Sequence, residues 1–96
     1  MDSSEFIIYV LKLEKNKRYI GYTKNLSKRL IKHFKGQGAK ATQKYKPLYV
    51  EKIFVFDEKK IYKHPLTIEH DIVKQYVKKY GYRNVRGGNW TNSLTF

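Results

Sequence analysis

The first apolar block of the chain does not alternate. Phe6-Ile7-Ile8-Tyr9-Val10-Leu11-Lys12-Leu13 is β-branched and aromatic almost without a break, which is the pattern of a strand covered on both faces. Glu14-Lys15-Asn16-Lys17 is a polar turn, and Arg18-Tyr19-Ile20-Gly21-Tyr22 is a short second strand that closes an antiparallel hairpin on the first. Asn25 is a good N-cap for a helix from Leu26 to Phe34. At about 100° per residue, Leu26, Leu30, Ile31 and Phe34 form its apolar face. Arg29 and His33 lie one above the other on a margin of that face, and Lys28, Lys32 and Lys35 point outward. Two glycines then break the period, so Gly36 to Lys46 reads as a mobile basic loop.

Pro47 ends this loop, and Leu48 to Phe56 reads as a third strand. After the polar stretch Asp57 to Lys63, Pro65 stands where a helix begins and Gly81 where it ends. Between them Leu66, Ile68, Ile72, Val73, Tyr76, Val77 and Tyr80 cover about half the helix circumference. The stretch from Tyr82 to Phe96 contains Gly87-Gly88 and no clear period. It is expected to be a loop with at most a short terminal strand. The order strand, strand, helix, strand, helix predicts an α+β fold, a small three-stranded antiparallel sheet flanked by helices.

A length of 96 residues predicts a single domain with one modest core. The absence of cysteine excludes disulfides and thiolate zinc sites. No apolar run reaches membrane-spanning length, and Met1-Asp2-Ser3-Ser4-Glu5 is not a signal sequence. The expectation is an intracellular protein, of cytoplasm or nucleus, with no membrane partner. Charge changes the picture more: 21 Lys and Arg against 8 Asp and Glu leave +13. Such an excess repels itself unless an anionic partner offsets it. Lysine is spread along the whole chain, so a nucleic acid lying across a broad face fits better than a membrane surface, which a polybasic tail or one amphipathic helix would serve. An AT-rich coding bias would also raise lysine without any function.

One residue breaks the hydrophobic pattern. Glu69 falls near the middle of the apolar arc of the second long helix. A carboxylate there must be protonated, paired or bound to a cation, because a bare buried charge is too costly. A divalent metal reached through a cleft answers this, and a hard oxygen donor suits magnesium. A first-turn acid turned outward toward the helix dipole is the plainer reading. Arg29 and His33 taken alone are ordinary solvated helix residues, and Tyr9 is a core aromatic with its hydroxyl at an edge. There is no Ser-His-Asp set, phosphate-binding glycine loop or zinc spacing; His33, His64 and His70 fit no metal pattern.

Taken in order, Ile7-Ile8-Tyr9, Tyr19-Ile20-Gly21, Arg29, His33, Glu69 and Asn84 form a series that resembles the GIY-YIG nuclease superfamily. The similarity runs from Phe6 to about Asn89. It is most specific from Tyr19-Ile20-Gly21-Tyr22-Thr23 through Lys28-Arg29-Leu30 to His33. The family's first triplet usually opens with glycine, and Ile7 stands in its place. Its small three-stranded domain agrees with the order of elements derived above.

The resemblance implies metal-dependent hydrolysis of the DNA backbone, with Tyr9, Tyr19, Arg29, His33, Glu69 and Asn84 at the site. Tyr9 would be the general base or hold the attacking water, and an unperturbed phenol near 10 would need positive charge from Arg29, Lys24 or His33. Tyr19 would position water or phosphate, and Arg29 would grip the scissile phosphate in a fixed fork. His33 would hydrogen-bond Tyr9 or a phosphate oxygen. Glu69 would hold one Mg²⁺ (or Mn²⁺) against the leaving 3′ oxygen, and Asn84 would support the geometry. The two tyrosines share a sheet face only if their hairpin pairing sum is even.

Lys40 and Lys44 in the basic loop, with Tyr45, would ride along a duplex or branched DNA. Lys24, Arg83, Arg86, Asn89 and Trp90 would add phosphate or stacking contacts. Sequence preference is expected to be weak or to come from DNA shape. The protein would act as a monomer, as half of a dimer, or as a subunit whose partner chooses the substrate. Two other functions compete: a non-catalytic nucleic-acid-binding module, and a basic domain docking on an acidic protein or ribosomal RNA.

Overall fold

A computed structural model describes residues 4–88 and Trp90. Strand β1 (Glu5–Leu13) turns through a single 3-10 turn at Glu14–Asn16 into β2 (Arg18–Thr23). Helix α1 (Leu26–Phe34) and the short α2 (Lys40–Lys44) precede the long strand β3 (Pro47–Asp57). Helix α3 (Pro65–Tyr80) and the three-residue β4 (Val85–Gly87) complete the order. The sheet runs β3-β1-β2-β4. The α+β class and the order of the main elements are as the sequence predicts. The sheet gains a fourth strand, and it is mixed: β1 pairs antiparallel with both neighbours, whereas β4 lies parallel to β2. A three-residue strand recruited by pairing leaves no period in the sequence.

The unbroken apolar run of β1 is explained by its central place. Phe6, Ile8 and Val10 face α3, where they pack with Ile20, Ile72, Val73 and Val85. Ile7, Tyr9, Leu11 and Leu13 face the other way, packing with Ala41 and the half-buried Tyr19, Leu26, Leu30 and Tyr45. Ile7 is buried in ordinary extended backbone, so a β-branched side chain replaces the family's glycine without strain.

Two expectations are corrected here. The segment read as a mobile loop forms α2 at Lys40–Lys44, because Ala41 and Thr42 are buried while Lys40, Gln43 and Lys44 stay exposed. Helix α1 is capped by the Asn25 side chain, as expected, through Lys28 N–H at 3.1 Å. It is rolled relative to its hydrophobic pattern, however: Ile31 and Phe34 are about half exposed, and His33 is fully buried instead. Hydropathy ranks His33 as polar, but Tyr9 on β1 and Thr42 on α2 satisfy its ring.

On the α3 face, buried Arg18 donates from Nε and Nη2 to Glu51 at 2.9 and 3.1 Å and stacks on the Tyr80 ring. The fork ties β2, β3 and α3 together. Glu51→Ala strands this guanidinium in the core and is expected to cost about 1.5–3 kcal/mol in urea unfolding, against near neutrality for an exposed helix residue such as Lys74→Ala.

Candidate active site

The hairpin register decides where the two tyrosines point. Tyr9 pairs with Gly21 and Leu11 with Tyr19. The pairing sum is even, so both phenols stand on the face covered by α1 and α2. Their ring centroids are 6.3 Å apart. Opposite Tyr9 there is no side chain, and the phenol lies across β2 in that gap. A Cβ on Gly21 would stand 2.2 Å from the Tyr9 hydroxyl oxygen.

Above the tyrosines, α1 brings down one turn of polar groups. His33 Nε2 is 2.7 Å from Tyr9 Oη, and its ring is 5.2 Å from that of Tyr19. The Arg29 Nε–H donates to Tyr9 Oη in a long hydrogen bond of 3.4 Å. On the far side of the imidazole, Nδ1 is 3.1 Å from Thr42 Oγ1, and the Thr42 hydroxyl donates to Ala39 O at 2.8 Å. Gly38 closes over this nitrogen, since a Cβ there would lie 2.2 Å from Nδ1. Gly21, Gly38 and Thr42 are the site residues that the sequence reading missed. A glycine inside a strand signals close approach, but Gly38 and Thr42 read as loop residues until α2 is seen.

Glu69 stands on α3, near enough for its charge to act on both phenols. Strand β4 pairs with Arg18–Ile20 of β2 and, at Gly87, with Trp90. Gly88 follows directly, in left-handed backbone with φ 54°, and a Cβ there would touch Glu69 Oε1 at 3.5 Å. The Glu69 side chain is 7% exposed. It lines a cleft of about 370 Å³ with Leu66, Thr67, His70 and Gly88. The bland reading, an outward-turned acid, is therefore not what the fold does.

Burial is the main electrostatic force here. It raises the Tyr9 phenol well above its usual value, reinforced by Tyr19 and opposed by Arg29. Burial raises Tyr19 too, again against Arg29. His33 is pulled down to about 4 by burial and by Arg29, so its imidazole is neutral at physiological pH. Glu69 is pushed up to about 7 by burial, with Arg29 pulling the other way, and its charge acts on both phenols. Of the three cations considered from sequence, Arg29 is the one that acts on Tyr9. His33 is neutral, and Lys24 pairs with Glu58 at 3.1 Å.

Other expected site residues are placed elsewhere. Asn84 holds the end of α3 to the hairpin: its Nδ2 donates to Tyr80 O at 2.7 Å, and its Oδ1 accepts from Lys17 Nζ at 2.9 Å. Arg86 is not a surface cation. It is 1% exposed, pairs in register with Tyr19, and donates to Tyr82 O and Val85 O. Lys40 is exposed at a cleft of about 310 Å³ shared with Tyr19, Ala39, Ala41 and Arg86. Lys44 is exposed beside the Tyr45 ring. Arg83 is exposed, with Nε donating to Tyr82 Oη at 3.2 Å. Trp90 is partly exposed and donates from Nε1 to Tyr82 O at 3.3 Å. Asn89 lies outside the described residues.

The sequence model of the GIY-YIG catalytic domain matches residues 5–83. The chain belongs to the GIY-YIG family. Among its relatives, a UPF0213 protein of Fusobacterium nucleatum is 32% identical over 77% of this chain and 70% of its own. One from Bacillus pumilus is 29% identical over 82% of this chain and 99% of its own. One from Staphylococcus saprophyticus is 42% identical over 54% of this chain, and the match spans 63% of that relative's length. No solved structure matches the chain at the significance these relatives reach. The family motif here reads Ile7-Ile8-Tyr9 and Tyr19-Ile20-Gly21, and Gly21 is the position where a side chain would collide with the Tyr9 phenol. Among the described residues no helix is long and apolar enough to cross a membrane.

Two predictions follow the contacts and the charges. Gly21→Ala and Gly38→Ala should each destabilise the protein by about 1–3 kcal/mol in urea unfolding, because each Cβ meets a rigid ring. Glu69 holds its proton to about 7 when folded, against 4.5 when unfolded. Its stabilising contribution is present below 4.5 and is lost as pH rises to 7. His33 acts oppositely, with a folded value near 4 against 6.5, so its contribution is lost as pH falls through that interval. In chelator, Glu69→Gln should gain stability relative to the parent between about pH 5 and 7.5; a constant difference would mean an acid that titrates as if exposed.

Proposed function

We propose that this chain is a metal-dependent DNA endonuclease in which Tyr9 activates the attacking water. The observation that supports this reading is the convergence on one face of Tyr9, Tyr19, Arg29 and His33, with the buried Glu69 at its edge. A phenol raised well above its usual value does not work as a standing phenolate. It takes a proton from water only if its own proton leaves in the same step, and His33 Nε2 is the acceptor within reach.

Arg29 presents its guanidinium between the two phenols and would hold the scissile phosphate there. Tyr19 would orient the phosphate or the water from the other side. The donor at the edge fits a hard divalent cation: among the described residues no hydrogen bond or ion pair is made by the Glu69 carboxyl, which lines an open cleft. Glu69 would hold one Mg²⁺ or Mn²⁺. Bound there, the cation would supply positive charge to the leaving 3′ oxygen.

Lys40, Lys44 and Arg83 are exposed, and would track the phosphates of a duplex or branched DNA. Sequence preference would be weak and follow DNA shape. One such site cuts one strand, so a monomer nicks, and a double-strand break requires a second copy or a partner subunit.

Incubation with supercoiled plasmid and with branched duplex, with and without Mg²⁺ or Mn²⁺, tests the reading. Nicking should require the metal. Tyr9→Phe should slow it about 10²–10⁴-fold. Glu69→Gln should abolish it, while both variants keep salt-sensitive DNA binding. Binding without cleavage in any metal would reduce the protein to a nucleic-acid-binding module on a nuclease fold.

A further inference from the structure

Thr42 has no part in the chemistry described so far, yet it is 1% exposed on the short α2 and meets the one imidazole in the core. Its hydroxyl has a single hydrogen, and that hydrogen is directed to Ala39 O, the carbonyl that opens α2. What Thr42 Oγ1 offers to His33 is therefore a lone pair. The ring nitrogen facing it at 3.1 Å must carry the hydrogen. With Nδ1 protonated in a neutral ring, Nε2 keeps its lone pair, and the 2.7 Å contact to Tyr9 has only one possible sense: Tyr9 O–H donates and His33 accepts. With the Thr42 hydroxyl held on Ala39 O, the opposite tautomer would set the Nδ1 and Oγ1 lone pairs against each other inside a buried site.

Gly38 covers Nδ1 closely enough to exclude a side chain from it. The charged group acting on the ring is Arg29, and the neutral groups facing it are the two phenols. Arg29 donates to Tyr9 Oη, so the phenol oxygen receives one hydrogen while directing its own toward the imidazole.

We propose that Thr42 is a positioning residue: it fixes His33 as the Nδ1–H tautomer, and so makes Tyr9 and His33 a two-step proton relay. This inference rests on the nuclease reading above. In the relay an O–H bond of water breaks and its proton forms a new O–H bond at Tyr9, while the original Tyr9 proton forms an N–H bond at His33 Nε2. The hydroxide so made forms the new P–O bond as the P–O3′ bond breaks, and the leaving alkoxide takes a proton from solvent. The imidazolium donates from Nδ1 to Thr42 and from Nε2 to Tyr9, and afterwards returns its proton to solvent along the same path.

The test combines long-range ¹H–¹⁵N spectra of the His33 ring with cleavage kinetics of the full chain. The parent should show a protonated Nδ1 and a bare Nε2. Thr42→Val keeps the shape but removes the lone pair. It should shift the ring toward the other tautomer and lower kcat about 10–100-fold, with KM for DNA unchanged. Thr42→Ser should restore both. A parent ring protonated at Nε2, or a Thr42→Val protein with unaltered tautomer and kcat, would overturn the proposal. If the parent cleaves nothing in any metal, the nuclease reading and the relay both fall. The spectrum would still report whether Thr42 sets the tautomer, so the two failures are distinguishable. The parent spectrum needs no variant to fold.

Discussion

A single buried hydrogen bond organises one side of this sheet. Tyr9 and His33 are both inaccessible to solvent, and each satisfies the other's polar atom at 2.7 Å. Neither group is tolerable there alone, since a buried hydroxyl or imidazole without a partner carries its full desolvation cost. The rest follows from accommodating this pair. Gly21 leaves the gap across which the phenol lies, Gly38 lets the chain close over the ring, and Thr42 completes the imidazole's valence. The roll of α1, which exposes Ile31 and Phe34, is the counterpart of burying His33.

The electrostatics of the site are set by burial more than by charge pairing. A net charge of +13, acting alone, would lower the phenols and hold every carboxyl ionised. Locally the reverse holds: both phenols and Glu69 are raised, and His33 is lowered, with loss of water as the first cause in each case. Arg29 is the cation that moderates them. At rest the site thus holds the Arg29 charge beside two neutral phenols, a neutral imidazole and a carboxyl that titrates near 7, groups arranged to pass a proton or receive a cation. The surplus lysines lie outside, where they add long-range attraction for a polyanion without perturbing the pair in the core.

The two faces of the sheet divide the work. On the α3 face, the aliphatic cluster and the Arg18–Glu51 fork hold β2, β3 and α3 in place. On the other face, the helices carry few large apolar residues and the polar cluster takes their place. Strand β4 is short, and its short length matters. It ends at Gly87, and Gly88 directly after it lines the cleft that holds the Glu69 carboxyl.

The amino-acid sequence by itself settled the strand–strand–helix–strand–helix order, the caps and breaks at Asn25, Pro65 and Gly81, and the candidate set Tyr9, Tyr19, Arg29, His33 and Glu69. The elements and Glu69 rest on local signals, a periodicity, a turn residue or an acid misplaced on an apolar arc, whereas Tyr9, Tyr19, Arg29 and His33 read as ordinary one by one and became candidates only through the resemblance of the ordered series. Tertiary structure decided what local signals do not carry. The even hairpin register put both tyrosines on one face. Long-range pairing created β4 and drew Arg86 inward, and a capping contact removed Asn84 to the far end of α3. The partner that fixes the imidazole came from a segment that read as loop. The reason is common to all of them. A hydrogen bond between residues 24 positions apart, such as that of Tyr9 with His33, has no period, and only the packing of helix on sheet brings its two ends together.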